Sequence, residues 1–380
     1  MRISPEPYPA LAMDEINHIF NSSDHKNLDC IDFGKGVSCF NPLDHVELPD
    51  DICLSEHLSY GDINGLMSLR TEICKYYKEK FDYDLSPERI CITDGASGAL
   101  TIALAMLLSE SGEVILPGSC YPVYKNLTKI LRADYQLAPV RDDFCLDIAE
   151  LRQLITKKTR AIIVNSPSNP HGTFLQAYEL EEITDLGIPV IFDEVYQSLP
   201  ITDSTIPSAI RFSDRHFIVN SLSKSIAIAG IRIGYLIVPE EQVSLMINLK
   251  AILNMCTSLP GQRFAECLMR HWDALVYQHK KMLKENWSLF QEATNSLGLK
   301  LRSEPQAGFF ALVDVAGTGQ SSIEISRDLA AHHALATVPG LDFQESNHDF
   351  LRLNFACPSS QIEPGLSRLA NYLHTPPSNS

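Results

Sequence analysis

Paired cysteines, basic surface and long apolar runs are all missing from this chain, and each absence removes a class of function. Ten cysteines are scattered over 380 residues, with no C-x-x-C pair and no Cys/His grouping at zinc spacing. Neither a zinc module nor a secreted disulfide framework is indicated, and the thiols read as the reduced cysteines of a cytoplasmic protein. Lys and Arg number 31 against 47 Asp and Glu, a formal net charge of −16. A nucleic-acid partner calls for the opposite balance. The longest apolar stretches, such as Ala99–Leu108, are far too short to span a bilayer, so no membrane partner is expected. The opening residues, MRISPEPYPALAMDE, carry charge and proline and no signal-like apolar core. Internal repeats are absent. What is present is ordinary for a globular chain, 45% hydrophobic and 21% charged, with length for a sizeable core and two domains.

One stretch organises the rest. Asn220 to Tyr235 reads N-S-L-S-K-S-I-A-I-A-G-I-R-I-G-Y, entered from the apolar run His216–Val219. Lys224 has small or apolar neighbours, which predicts that it points into a pocket. A desolvated lysine loses basicity and becomes a nucleophile toward carbonyls. Ser221, Ser223 and Arg232 lie close by in sequence and suit a phosphate. A cofactor with both an aldehyde and a phosphate accounts for all four residues, and pyridoxal 5′-phosphate (PLP) is such a cofactor.

Upstream, a grammar repeats. The apolar runs Arg89–Thr93, Glu113–Leu116, Arg160–Val164, Ile188–Phe192 and Phe217–Val219 read as short strands. Each is followed by polar or glycine-rich residues: Asp94–Gly98, Pro117–Tyr121, Asn165–Gly172, Asp193–Tyr196 and the lysine segment. Continuous apolar strands separated by helical stretches predict a mostly parallel sheet covered on both faces, an α/β fold. The polar residues then collect at the C-terminal edge of the sheet, where open α/β sheets bind ligands. Helices are predicted near Ala10–Phe20, over Met67–Lys80, Ala99–Leu108 and Glu241–Asn254, and as one long bridging helix from about Gln262 to Ser296. The remainder alternates Gly308–Val313, Ile323–His333 and Phe350–Phe355 and reads as a smaller α+β domain.

Asp193 ends an apolar strand, so its carboxylate needs a cation or several donors. The pyridinium nitrogen of PLP is a fitting partner, because the pairing keeps the ring protonated as an electron sink. Gly95, Ala96, Ser97 and Gly98 precede the predicted helix, where free N–H groups favour an anion. Arg352, in L-R-L-N-F-A, alternates with apolar neighbours on a predicted strand, and an inward arginine calls for an anion.

Ser-x-Ser-Lys followed by Gly-x-Arg-x-Gly-Tyr resembles the cofactor-lysine segment of class I/II aminotransferases, fold-type I PLP enzymes. The match continues in motif order over roughly residues 30–360. It implies a large PLP-binding domain over residues 46–285 and a small domain built from 1–45 and 286–380. It also implies a homodimer with shared active sites, in which Tyr60 of Y-G-D-I-N-G-L reaches the neighbour's cofactor phosphate. By the same resemblance Lys224 forms the Schiff base and moves the Cα proton. Asn169 and Tyr196 hold the phenolic oxygen, Tyr121 stacks on the ring, and Arg352 grips the carboxylate of an amino-acid substrate. Gly34 is either a wall of the substrate site or an ordinary turn glycine.

Transamination is the leading reaction. A PLP-dependent lyase or cyclase, acting by elimination or on an amino acid such as a hydroxylated arginine, stays open because of three departures from the family pattern. These are the Asp32–Lys35 turn, His57 close before Tyr60, and His171 where the family loop carries threonine. The pattern Asp32, Phe33, Asn41, Pro42, Leu43 is also similar to the threonine-phosphate decarboxylase branch, which keeps a decarboxylase as a third reading.

Overall fold

A computed structural model of the chain describes residues 11–25, 28–48, 59–108, 112–344 and 349–374. Its centre is a seven-stranded sheet. In spatial order the strands are Ile90–Asp94, Ile233–Ile237, Phe217–Ser221, Val190–Asp193, Thr159–Asn165, Glu113–Pro117 and Asp134–Ala138. All neighbours run parallel except around Ile233–Ile237, which is antiparallel to both of its partners. The continuous apolar runs follow from burial on both faces. Ile162 and Val164 enter one core with Ile115, Phe192 and Ile218, while Ala161 and Ile163 enter the opposite core with Val114, Ile191 and Val219. Each such side chain withdrawn from water contributes roughly 2 kcal/mol.

Three expectations need correction. The helix expected over Ala99–Leu108 spans Gly95–Leu107. The glycine-rich segment is therefore the helix's first turn, and Gly95 enters it at φ +73°. The long helix expected from Gln262 to Ser296 is two helices, Leu259–Met269 and Trp272–Ser296. His271 breaks it with φ −110° and ψ 17°, which brings Trp272 to an edge contact with Tyr76, ring centroids 4.9 Å apart. Ile233–Ile237 and the edge strand Asp134–Ala138 were not foreseen. The first hides in a glycine-containing motif, and the second reads Asp-Tyr-Gln-Leu-Ala, too polar to signal a buried strand.

Beyond the break, Trp272–Ser296 links two cores. Leu275 packs with the large sheet, whereas Leu283, Trp287 and Phe290 pack with a second cluster around Phe309, Leu351 and Phe355. That cluster lies on a four-stranded antiparallel sheet in the order Val338–Pro339, Phe350–Asn354, Phe310–Asp314, Leu301–Ser303. The N-terminal segment joins this part. Ile31–Asp32 pairs in parallel with Leu335–Ala336, and Ile31 and Phe33 are buried in the same cluster. Among the described residues no helix is long and apolar enough to cross a membrane, and no group of three His, Cys, Asp or Glu could hold a metal ion.

Candidate active site

At the C-terminal edge of the large sheet lies a cavity of about 410 Å³. The strand ends deliver its chemistry. Asp193 closes one strand and Ser221 its neighbour, and Ser221 caps the short helix Leu222–Ser225 by accepting the Ser223 N–H at 3.1 Å. This turn throws Lys224 into the cavity. Its Nζ donates to the Gly36 carbonyl at 2.5 Å. Burial, then the nearby charges of Arg352 and Arg232, lower the Lys224 pKa to about 8. The predicted pocket lysine is therefore largely protonated at neutral pH but within easy reach of its nucleophilic form.

Asp193 is buried, and its hydrogen bonds come from neutral groups: the Tyr124 hydroxyl to Oδ2 at 2.7 Å and the Val195 N–H to Oδ1 at 3.3 Å. Burial pushes its pKa up to about 6 despite these bonds and the pull of Lys224. The adjacent carboxylate, Glu194, faces the other way and is consumed by Ser208 Oγ at 2.7 Å and the Ala209 N–H at 2.8 Å. Strand alternation thus sends one carboxylate into the cavity and the other into packing.

Arg352 occupies a central strand of the small sheet and is buried, so it is not an edge arginine facing water. Its guanidinium lies 4.0 Å from the ring centroid of Phe310 and 5.0 Å from that of Phe343. Nη2 donates to the Gly34 carbonyl at 3.0 Å and Nη1 to Asn169 Oδ1 at 3.2 Å, while Nε has no hydrogen-bond partner among the described residues. Burial lowers its pKa to about 10. A cation held only by neutral acceptors, with a buried donor unspent, is short of an anion.

Of the other residues singled out in sequence, Gly34, Ala96, Ser97, Tyr121, Asn169, Tyr196, Ser221, Ser223 and Arg232 all line the cavity. Gly95 lies just behind it, where a Cβ would stand 2.5 Å from Arg232 Nη2. Gly234 shows why the lysine segment ends in glycine: a Cβ there would meet the Gly95 backbone at 2.5 Å. Tyr60 does not line the cavity of this chain and is 81% exposed.

His171 needs correction, because it is not a cavity group. Its ring stacks on Phe144 at 4.6 Å, and Nε2 lies 2.8 Å from Ser119 Oγ. Burial pushes its pKa down to about 3, so it stays neutral. In the Asp32–Lys35 turn the carboxylate is used locally, Asp32 Oδ1 accepting the N–H groups of Gly34 at 2.9 Å and Lys35 at 3.1 Å, while Gly34 and Lys35 line the cavity. His57 lies outside the described residues.

Several cavity residues escaped the sequence reading. Tyr124 holds Asp193, and its only sequence signal is its place after Tyr121. Asn165 Oδ1 accepts the Asn169 N–H at 2.8 Å while its amide donates to the Asp193 carbonyl at 3.0 Å, tying two strand ends together. Asn354, two residues after Arg352, donates to the Lys35 and Val37 carbonyls at 2.7 and 2.6 Å and seats the loop that carries Gly36. Met13 and Asn17, four apart on the helix Ala12–Ser22, close the cavity from the N-terminal side.

Comparison with known proteins decides the family. The model for aminotransferase class I and II matches residues 29–369. This chain belongs to that family. It is 30% identical over 328 residues to the (5-formylfuran-3-yl)methyl phosphate transaminase of Methanocaldococcus jannaschii, covering 83% of each chain. It is 27% identical to an aspartate aminotransferase of Pyrococcus horikoshii, covering 91% of each. Among solved structures, the aspartate aminotransferase of Thermotoga maritima superposes with a TM-score of 0.86 at 25% identity, over 97% of this chain and 98% of that one. The protein is therefore a PLP-dependent enzyme of the aminotransferase class. The cavity fits that cofactor chemically. It offers an amine of lowered basicity, a buried carboxylate without a hydrogen-bonded cation, and the first turn of the helix Gly95–Leu107 beside an arginine.

Proposed function

We propose that this enzyme transfers the amino group of an α-amino acid, binding the substrate carboxylate at Arg352 and moving the Cα proton on Lys224. The observation that carries the reading is Arg352. It is a buried guanidinium with an unspent donor, in the same cavity as a lysine of lowered pKa and a buried carboxylate. Bidentate pairing of a planar guanidinium with a carboxylate suits that vacancy in its bonding. Gly34 and Asn169, already bonded to Arg352, orient it toward the substrate.

PLP, when bound, supplies the sink for the electron pair released at the substrate Cα. Asp193 would pair with its ring nitrogen, with Tyr124 and the Val195 N–H holding the carboxylate in place. Because Arg352 takes Asn169 Oδ1, the Asn169 amide N–H is left, with the Tyr196 hydroxyl, for the phenolic oxygen. Tyr121 covers the ring. Gly95, Ala96, Ser97, Ser221, Ser223 and Arg232 hold the phosphate. Lys224 Nζ accepts the Cα proton and gives it up again as general base and acid.

We further propose a homodimer with shared sites and a cytoplasmic setting, built from a large domain over residues 46–285 and a small one from 1–45 and 286–380. Arg232 and Tyr60 are both exposed in the single chain. Gly61 N–H meets Cys256 Sγ at 3.4 Å, and shortly before Cys256 the apolar Ile252, Leu253 and Met255 are exposed. A second copy would cover this apolar surface and bring in its Tyr60. The described cysteines are free thiols, in keeping with a reducing compartment.

Two of the groups that kept elimination and cyclisation open, His171 and the Asp32 carboxylate, are engaged outside the cavity. The test is product analysis with a panel of amino acids and a keto-acid acceptor. Stoichiometric keto acid, formed only with the acceptor present, supports transamination. Ammonia, carbon dioxide or a cyclised amine formed without an acceptor overturns it.

A further inference from the structure

Asp94 immediately precedes the helix Gly95–Leu107. An aspartate in that place ordinarily turns its carboxylate onto the N–H groups two and three residues into the helix. Here those are the N–H groups of Ala96 and Ser97, the donors assigned above to the phosphate. Asp94 makes no such bond with its side chain. Its Oδ2 accepts instead from Asn254 Nδ2. Asn254 Oδ1 in turn accepts from Lys250 Nζ at 2.8 Å. Lys250 is fully buried although it takes no part in the proposed chemistry, and its ammonium also donates to Thr257 Oγ1 at 3.0 Å. The Thr257 hydroxyl closes the relay on the Ile92 carbonyl at 3.1 Å, on the very strand that leads into the helix.

A buried lysine is costly, and burial lowers its pKa here against the opposing pull of Cys91 and Asp94. Its setting gives it something to do. Were Asp94 to swing back, it would occupy two anion-binding donors and set a negative charge against a phosphate dianion. Arg232, whose Nη2 donates to the Asp94 backbone carbonyl at 3.2 Å, would be drawn toward the same carboxylate. We propose that Asn254 and Lys250 are positioning residues that draw the Asp94 carboxylate off the helix N-terminus and so keep it open for the cofactor phosphate. The proposal rests on the reading of Gly95–Ser97, Ser223 and Arg232 as the phosphate end.

The test compares the affinity of the apoprotein for PLP and for pyridoxal, which lacks the phosphate. The ratio of the two isolates the phosphate contribution without any turnover. Asn254→Ala should lower that ratio by about tenfold, the scale of a charge-assisted hydrogen bond, with pyridoxal affinity little changed. Lys250→Met should lower it in the same direction. Adding Asp94→Ala to Asn254→Ala should restore the ratio, because the competing carboxylate is gone. A merely structural role for Asn254 predicts no such rescue. An unchanged ratio in Asn254→Ala, or a loss that Asp94→Ala fails to restore, overturns the proposal. Arg232→Ala separates the two levels. If it too leaves the ratio at the wild-type value, the phosphate reading itself fails and takes the proposal with it. If only Arg232→Ala lowers the ratio, the phosphate reading stands and the relay alone is refuted.

Discussion

The two ends of the cavity differ in how much of them one chain supplies. At the lysine end, Lys224, Asp193 and Arg352 are held by hydrogen bonds from the same chain, down to the carbonyls of Gly34 and Gly36. At the end proposed for the phosphate, Arg232 and Tyr60 are both exposed. Reaction chemistry thus sits in the drier, closed part, where charges interact strongly and pKa values shift. In the proposed assignment, anchoring sits where a second subunit has room to contribute. Variants at the first end should therefore change chemistry, and variants at the second should change cofactor retention and assembly.

The largest effect is expected at Lys224. Lys224→Ala should cost roughly four orders of magnitude in turnover and abolish borohydride fixation of cofactor to the peptide that contains residue 224. Fixation to that same peptide in the variant would show that the nucleophile lies elsewhere. Asp193→Asn comes next, with turnover down by about two to three orders of magnitude. It also has an opposite effect on stability. The folded pKa of Asp193, about 6, lies above the ordinary 3.8, so its ionisation costs stability as pH rises through that range. At pH 8 the Asn variant of the apoprotein should be more stable, by on the order of 1–3 kcal/mol. A lower melting temperature for the variant at pH 8 would contradict that account of the buried charge.

Tyr60 tests the other end. Mixing inactive Tyr60→Ala with inactive Lys224→Ala should recover about a quarter of wild-type activity after random subunit exchange, since half of the dimers regain one of two sites. Exchange without recovery would mean that the sites are not shared. The mildest expectation concerns pH. Cofactor capture by the apoprotein needs the unprotonated Lys224 amine, so its rate should rise from pH 7 to 9 with a midpoint near the pKa of about 8. A stopped-flow rate that still climbs about tenfold per pH unit at pH 9 would leave Lys224 without its lowered pKa.

The parallel sheet and the Lys224–Asp193 pair were readable because strands buried on both faces are continuous apolar runs, and because polar residues at strand ends converge in space whatever their separation in sequence. Glycines 95 and 234 were readable as motif members, but the reasons, the Arg232 guanidinium against Gly95 and the Gly95 backbone against Gly234, are approaches that only a structure displays. Tyr124, Asn165 and Asn354 were not readable, since a tyrosine on a helix or an asparagine beside a strand carries no periodic signal. Their meaning lies in a partner far along the chain. His171 misled for the complementary reason: Asn169, two residues before it, lines the cavity, but the His171 ring turns toward Ser119 and Phe144. The helix break at His271 has no proline or glycine to announce it.

The pairing of Ile31–Asp32 with Leu335–Ala336 has a consequence for the order in which the protein is made. A chain emerging from the ribosome completes the large sheet at Ile237, with Asp193 and Lys224 already placed at its edge. The Gly34–Val37 loop must wait for Asn354, which seats it, and for Arg352, which binds it. For more than a hundred residues of synthesis the nascent cavity therefore stands without the part of its lining that Gly34–Val37 supplies. The Ile31–Val37 segment therefore settles only after residues made more than three hundred positions later, and the site closes well after its sheet is complete.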